Sequence, residues 1–181
     1  DVVVGDVWVC SGQSNMGWAL KQSRPVPETF PRADRIRLLK ALPGFAADTP
    51  RSELAIDPAF GSWQRATGTH ALEFSAVAYH FGRSLSEQQA VPIGLIQITR
   101  GATGIQCWAP SYVLVQHPAH AKIVERFRTE LAWAKNHGTS PRVVEEYASK
   151  QPSYLYNGMM HPLTRFPIKG MVWYQAENNA M

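Results

Sequence analysis

No apolar run in this chain of 181 residues reaches the ~18–20 consecutive residues that a membrane-spanning helix requires, so an integral membrane protein is excluded. Cysteine is scarce. Cys10 and Cys107 are the only two, too few to build a zinc site or a disulfide framework by themselves. Buried free thiols are expected, and the redox compartment stays open. Basic clusters are missing as well. The net charge is +4, but the lysines and arginines are scattered, and a nucleic-acid partner is not expected without a basic face. Glycine and proline, 13 of each, follow no period, which excludes collagen-like and low-complexity classes. The start, Asp1-Val2-Val3-Val4, has neither a basic leader nor a small-residue cleavage site and no initiator Met. It reads as a processed chain or a piece of a longer one. Ala180-Met181 follows an apolar run and a polar turn so closely that the domain is expected to be incomplete at its C-terminus.

What remains, 45% hydrophobic and 18% charged residues, fits a single soluble domain over residues 1–181, within the usual ~100–200 residues. Three short apolar runs read as buried strands: Val7-Trp8-Val9-Cys10, Ile93 to Ile98, and Met171-Val172-Trp173-Tyr174. Each is β-branched or aromatic and leads into glycine or small polar residues, the pattern of parallel strands entering loops. Ile36 to Leu39 is a weaker fourth. Phe74, Val77, Ala78, Phe81 and Leu85 form one helical stripe, and Ile123, Val124, Phe127, Leu131 and Ala134 form another, which Gly138 can cap. Strands alternating with such helices predict an α/β fold, a three-layer parallel sheet flanked by helices. Residues 21–61 are proline-rich and read as a long loop insertion facing the substrate.

Open parallel sheets bind ligands beyond the carboxyl ends of their strands. The residues found there are Ser11-Gly12-Gln13-Ser14-Asn15-Met16, Arg100-Gly101-Ala102-Thr103-Gly104 and Gln175-Ala176-Glu177-Asn178. A serine on a glycine turn at a strand end can present its hydroxyl outward while backbone N–H groups converge on the same point. Ser14 is therefore either a nucleophile or a helix N-cap, with Gly12 as its turn glycine. Gln175, taken by itself, reads as a strand-end amide capping a loop. Of the six tryptophans, Trp8, Trp133 and Trp173 lie inside elements and are expected in the core. Trp18 and Trp108 follow the serine turn and the glycine loop closely enough to line a pocket there.

Gly5 to Met16, with its Gly-Gln-Ser-Asn-Met string, resembles the nucleophile block of the sialate O-acetylesterase family, a branch of the SGNH hydrolases with a flavodoxin-like sheet. Phe74 to Leu85 resembles that family's first long helix, and Pro92 to Trp108 its second strand and glycine loop. Tyr156 to Met160 with Lys169 to Ala180 resembles its Trp-Tyr-Gln-Gly-Glu-x-Asn block. The resemblance implies that Ser14 attacks an acetyl ester carbonyl, and that its own N–H, that of Gly101 and the Gln175 amide stabilise the oxyanion. It assigns Glu177 a site role, as a brace of the loop or as orienter of a histidine. Gln13, Asn15, Trp18, Thr103, Trp108 and Asn178 fall on the substrate side. Neither metal nor organic cofactor is implied, and the partner is an acetylated sugar.

Two departures stand out. Ala102 and Ala176 occupy positions where the family has glycine, and either alanine would strain or shift the site if its backbone must take a positive φ. The late Asp-x-x-His segment that supplies the general base is missing. His161-Pro162 imitates its end, but Gly158 stands where the aspartate should be. His70 lies in a loop able to face a cleft, whereas His80, His117, His120 and His137 lie in or beside helices. The base is therefore expected outside this chain, from the remaining C-terminal part of the same protein. The implied function is hydrolysis of acetyl esters on sialic acid or related sugars. The alternative is a carbohydrate-binding domain that keeps the fold without turnover. By resemblance the setting is secreted, periplasmic or lysosomal.

Overall fold

The computed structural model describes residues 2–179, which form two compact units. The first holds the described residues up to Pro43, together with Ala55–Ala102 and Phe166–Gln175; the second holds Gly44–Leu54, Thr103–Arg165 and the described residues from Ala176 on. No helix among the described residues is long and apolar enough to cross a membrane.

The first unit is built on five strands: β1 (Asp6–Gly12), β2 (Ile36–Lys40), β3 (Gln64–Arg65), β4 (Ile93–Thr99) and β5 (Gly170–Tyr174), in the order β3-β2-β4-β1-β5. β4 pairs in parallel with β2 and β1, and β1 pairs in parallel with β5. β4 is buried along its whole length, which is why it reads as a continuous apolar run rather than an alternating one. The three strands expected from sequence and the weaker fourth all form. β3 was not legible, and because it runs antiparallel to β2 the sheet is mixed. Helix α1 (Ser14–Gly17) follows β1, α2 (Gly68–Leu72) follows β3, and α3 (Ala76–Gln88) precedes β4.

α3 starts where Ser75 caps it, the Ser75 side chain accepting the Ala78 N–H at 3.1 Å. Its fully buried residues are Ala78, Tyr79, Gly82 and Ser86, while Val77, Phe81 and Leu85 only flank the core. The buried face therefore runs through Ala78, Tyr79, Gly82 and Ser86, rotated from the expected stripe. The core it covers includes Cys10, Ile36, Leu38, Phe74, Ile93 and Leu95. The 21–61 segment does not run wholly over the surface, since it supplies β2 and the buried Ala33, Ala41 and Phe60.

The second unit is helical: α4 (Ser111–Val115), α5 (Pro118–Asn136) and α6 (Pro141–Ser149). α5 begins at a proline and ends before Gly138, whose φ of +68° is the left-handed conformation a glycine terminator supplies. Only Leu131 and Ala134 of its expected stripe are fully buried. Trp133 is 60% exposed, which corrects its assignment to the core: it lies off the stripe, with the His137 ring stacked on it at 4.7 Å. Polar braces hold this unit. Asn157 donates to the carbonyls of Ala47 (3.2 Å) and Asp48 (3.1 Å) and accepts the Arg51 N–H at 2.9 Å. The Tyr156 to Met160 block thus ties down the 44–54 segment.

Candidate active site

β1 can end as it does only with glycine at position 12. Gly12 has φ +143°, and a Cβ there would lie 1.9 Å from the Tyr174 carbonyl oxygen on β5. The chain then turns. The Gln13 N–H donates to the Tyr174 carbonyl at 3.1 Å, and α1 begins. The N-cap of α1 is Gln13, which forms no side-chain cap bond, and Ser14 is the first helical residue. The N-cap reading of Ser14 is thereby removed. Ser14 is exposed, whereas Met16 two residues later is completely buried and anchors the short helix in the core.

The loop after β4 approaches the same serine. The Arg100 N–H donates to the Gly12 carbonyl at 3.2 Å, extending the β1–β4 ladder by one bond. A Cβ on Gly101 would stand 3.6 Å from Ser14 Cβ, in ordinary contact with it, so the loop after β4 passes directly beside the serine. Ala102 follows with φ +56°, a left-handed conformation that disfavours alanine by roughly 1–2 kcal/mol. The departure from glycine at this position is thus borne as backbone strain. Ala176 is not among the residues with positive φ. Gln175 follows Tyr174, the register partner of Gly12. Gly12 ends β1, and Gly101 and Gln175 follow β4 and β5, so all three lie at the carboxyl end of one sheet.

Beneath Ser14 and Gly101 lies a depression of about 260 Å³, lined also by Lys40, Gln97, Thr99 and Arg100. Its floor is a buried polar chain: the Gln97 side-chain oxygen accepts the Ser75 N–H at 2.8 Å, and its amide nitrogen donates to the Thr99 hydroxyl at 3.3 Å. Gln97 and Thr99 escaped the reading from sequence. Their signal is polarity at alternate positions of the otherwise apolar β4, both facing the α1–α3 side. Lys40 closes β2 and is anchored: its ammonium donates to the Glu73 carbonyl at 3.1 Å and lies 3.7 Å from the Asp57 carboxylate. The Gln13 side-chain oxygen and the Ser11 hydroxyl are buried without a hydrogen-bond partner among the described residues.

The other expected site residues occupy different settings. Asn15 and Trp18 are exposed, Trp18 at 51%. In the second unit, Thr103 and Trp108 are buried, and the Trp108 indole N–H donates to the Thr103 hydroxyl at 3.1 Å. Neither presents a face to a sugar; they brace the start of the loop. Glu177 is exposed and accepts the Ala176 N–H at 3.2 Å, and Asn178 is half-buried beside it. Asn179, missed in the sequence, accepts the Ile105 N–H at 2.8 Å.

The histidines have other engagements. His70 packs edge-on against Phe60 at 5.2 Å. His80 lies on α3, where burial first and Arg83 second lower its pKa. His117 caps α5, next to His120. His161 Nδ1 lies 2.8 Å from the Arg51 carbonyl. Both cysteines are buried, and burial pushes each thiol up to about 12, so neither supplies a thiolate nucleophile near neutral pH.

The helix-flanked sheet thus carries an exposed serine just past the carboxyl end of β1 and a glycine loop after the neighbouring β4. Residues 4–181 match the family described as carbohydrate esterase, sialic acid-specific acetylesterase, and the chain belongs to that family. It is 32% identical over 188 residues to the sialate O-acetylesterases of Homo sapiens and Pongo abelii, a match covering 99% of this chain and 32% of each relative. The crystal structure of a carbohydrate acetylesterase from Xanthomonas citri superposes with a TM-score of 0.73 at 31% identity, covering 100% of this chain and 34% of that one. The chain thus spans about a third of the length of the curated relatives it matches.

Proposed function

We propose that this chain carries the nucleophile half of a carbohydrate O-acetylesterase that removes acetyl groups from sialic acid or a related sugar. The observation that carries the reading is the approach of the Gly101 backbone to an exposed Ser14 at the ends of adjacent parallel strands. The Ser14 Oγ attacks the acetyl carbonyl carbon while its proton passes to a general base. The resulting oxyanion is stabilised by the N–H groups of Ser14 and Gly101 and by the Gln175 amide. Collapse expels the sugar hydroxyl, which takes the proton back, and leaves acetyl-Ser14. Water, deprotonated by the same base, then releases acetate and restores the serine. The base is a histidine from outside residues 1–181, since each histidine of the chain has another structural role. Gln13, Asn15, Trp18 and Asn178 contact the sugar, Glu177 orients the loop or the base, and Thr103 and Trp108 support the glycine loop from within. The reading implies a secreted, periplasmic or lysosomal setting, where O-acetylated glycans are met.

The test is acetate release from O-acetylated sialic acid by the full-length protein, with a serine-directed phosphonate locating the nucleophile by mass spectrometry. Ser14→Ala is expected to lower kcat by at least ~10³-fold and to abolish the adduct. Sugar binding without turnover in the full-length protein would support the binding-domain alternative instead. An adduct on another residue with Ser14→Ala fully active would remove Ser14 from the mechanism.

A further inference from the structure

Helix α1, which carries Ser14 as its first residue, is only four residues long and has no side-chain cap and no acidic residue in its first turn. The Gly17 N–H closes its single turn on the Gln13 carbonyl at 3.0 Å. One such turn fixes more backbone freedom than its hydrogen bond repays. The orientation of α1, and with it that of the Ser14 hydroxyl, is therefore set by what the helix rests on. Two supports touch it. Met16, completely buried, accepts the Ser75 hydroxyl on its sulfur at 3.5 Å. A Cβ on Gly17 would stand 3.4 Å from the Thr99 hydroxyl oxygen, so the end of α1 lies directly beside Thr99. The chain leaving α1 is tied to the first support as well. Ala19 bridges Ser75, with the Ala76 N–H donating to the Trp18 carbonyl and the Leu20 N–H to the Phe74 carbonyl, each at 2.8 Å.

Ser75 stands before α3 and Thr99 ends β4, and one side chain joins them: Gln97 accepts the Ser75 N–H at 2.8 Å and donates to the Thr99 hydroxyl at 3.3 Å. An amide buried in a run of Ile and Leu is unfavourable unless its hydrogen bonds are made. Without it, the N–H of Ser75, a residue with no exposed surface, loses this acceptor. We infer that Gln97 is a positioning residue for the esterase reaction, holding Ser75 and Thr99 so that α1 presents Ser14 to the substrate carbonyl. The inference rests on the reading of Ser14 as the nucleophile. Gln97 is only 2% exposed, so it acts on the reaction through the two residues it holds. An apolar side chain could fill the same space; the amide adds direction. Misplacing a nucleophile by ~1 Å is enough to cost about 10²-fold in rate, and the loss falls on kcat rather than on KM because the groups that bind the sugar stay in place.

The experiment compares full-length parent, Gln97→Leu, Gln97→Glu, Ser75→Ala and Ser14→Ala, each at a temperature where circular dichroism shows it folded. Read-outs are kcat and KM for O-acetylated sialic acid and the rate at which a serine-directed phosphonate modifies Ser14. Gln97→Leu is expected to lower kcat and the modification rate together by about tenfold or more, with KM within roughly twofold of the parent. Gln97→Glu should restore both rates to within about threefold, since a buried, protonated carboxyl accepts from the Ser75 N–H and donates to Thr99 as the amide does. Ser75→Ala keeps the N–H but removes the bond to Met16, and should lower kcat by about threefold at unchanged KM; it decides the matter against Gln97→Glu if Gln97→Leu does not fold. Parental kcat and modification rate in folded Gln97→Leu, a change confined to KM, Gln97→Glu as impaired as Gln97→Leu, or, where Gln97→Leu does not fold, parental kcat in Ser75→Ala would each overturn the proposal while Ser14→Ala stays inactive. Full activity in Ser14→Ala would instead overturn the nucleophile reading, and this inference with it.

Discussion

The two ends of the same sheet face opposite demands. At the amino end, Val2, Val3, Val7, Pro92 and Ile93 line an apolar cavity of about 320 Å³. At the carboxyl end, Ser14, Lys40, Gln97, Thr99 and Arg100 line a smaller one of about 260 Å³. Size alone would select the wrong end. The amino-end cavity has Arg37 as its one charged lining residue and no hydroxyl, whereas the carboxyl end combines the Ser14 hydroxyl, two cationic side chains and the hydrogen-bonded Gln97–Thr99 floor. Chemistry in an open α/β sheet belongs where strands terminate and amides are freed, and apolar volume at the other end is a packing feature.

This contrast can be broken by substitutions at each end. Ile93→Ala, at a completely buried position beside the amino-end cavity, is expected to lower stability by about 2–5 kcal/mol. At temperatures where the variant is folded, kcat should match the parent; a selective loss of kcat without destabilisation would give the amino end a part in chemistry. Gly101→Val should do the reverse, lowering kcat by about 10²-fold because the branched side chain fills the space over Ser14, with thermal denaturation nearly unchanged. If the activity of Gly101→Val equals that of the parent, the carbonyl does not lie over Ser14.

Cys10, on β1 between the two ends, probes whether the middle of the sheet is closed to both. Its thiol is raised from an ordinary value near 9 to about 12 by burial, so the folded form holds its proton more tightly than the unfolded form. The stability this confers is complete below pH 9 and is lost as pH rises toward 12. Alkylation of the native protein at pH 8 should therefore spare Cys10 until denaturant is added, and fast labelling without unfolding would mean that one end opens to solvent. The smallest expected effect is that of Ala102→Gly. Releasing the left-handed strain at φ +56° should raise the melting free energy by about 0.5–1 kcal/mol, the relief being partly offset by the entropy of glycine in the unfolded chain.

The sheet was legible in the sequence for a physical reason: parallel strands buried on both faces leave unbroken β-branched runs, and β1, β4 and β5 are such runs. β3 escaped because two residues cannot display a period, and α6 because of its nine residues only Ser149 is fully buried. Trp133 misled because helical membership does not fix which face a residue occupies. At the candidate site, Ser14 and Gly101 could be singled out from strand-end position and family resemblance together. Whether Ser14 caps a helix or begins one depended on the backbone of Gln13, which no pattern of side chains encodes. The alternating Gln97 and Thr99 on β4 are a local signal, but the partner that fixes Gln97, the Ser75 N–H, lies 22 residues away and outside any local window.

The contact between Gly12 and Tyr174 also sets an order of events during folding. β1 joins β5 through pairs such as Trp8 with Gly170 and Gly12 with Tyr174, partners separated by most of the chain. Loop closure over such a span is entropically unfavourable until intervening structure shortens it. The β1–β4 and β2–β4 pairs, being closer in sequence, can assemble first and hold β1 with one edge bare. The turn that presents Ser14 reaches its final shape only when β5 docks, so the hydroxyl is presented last, on a scaffold already largely built.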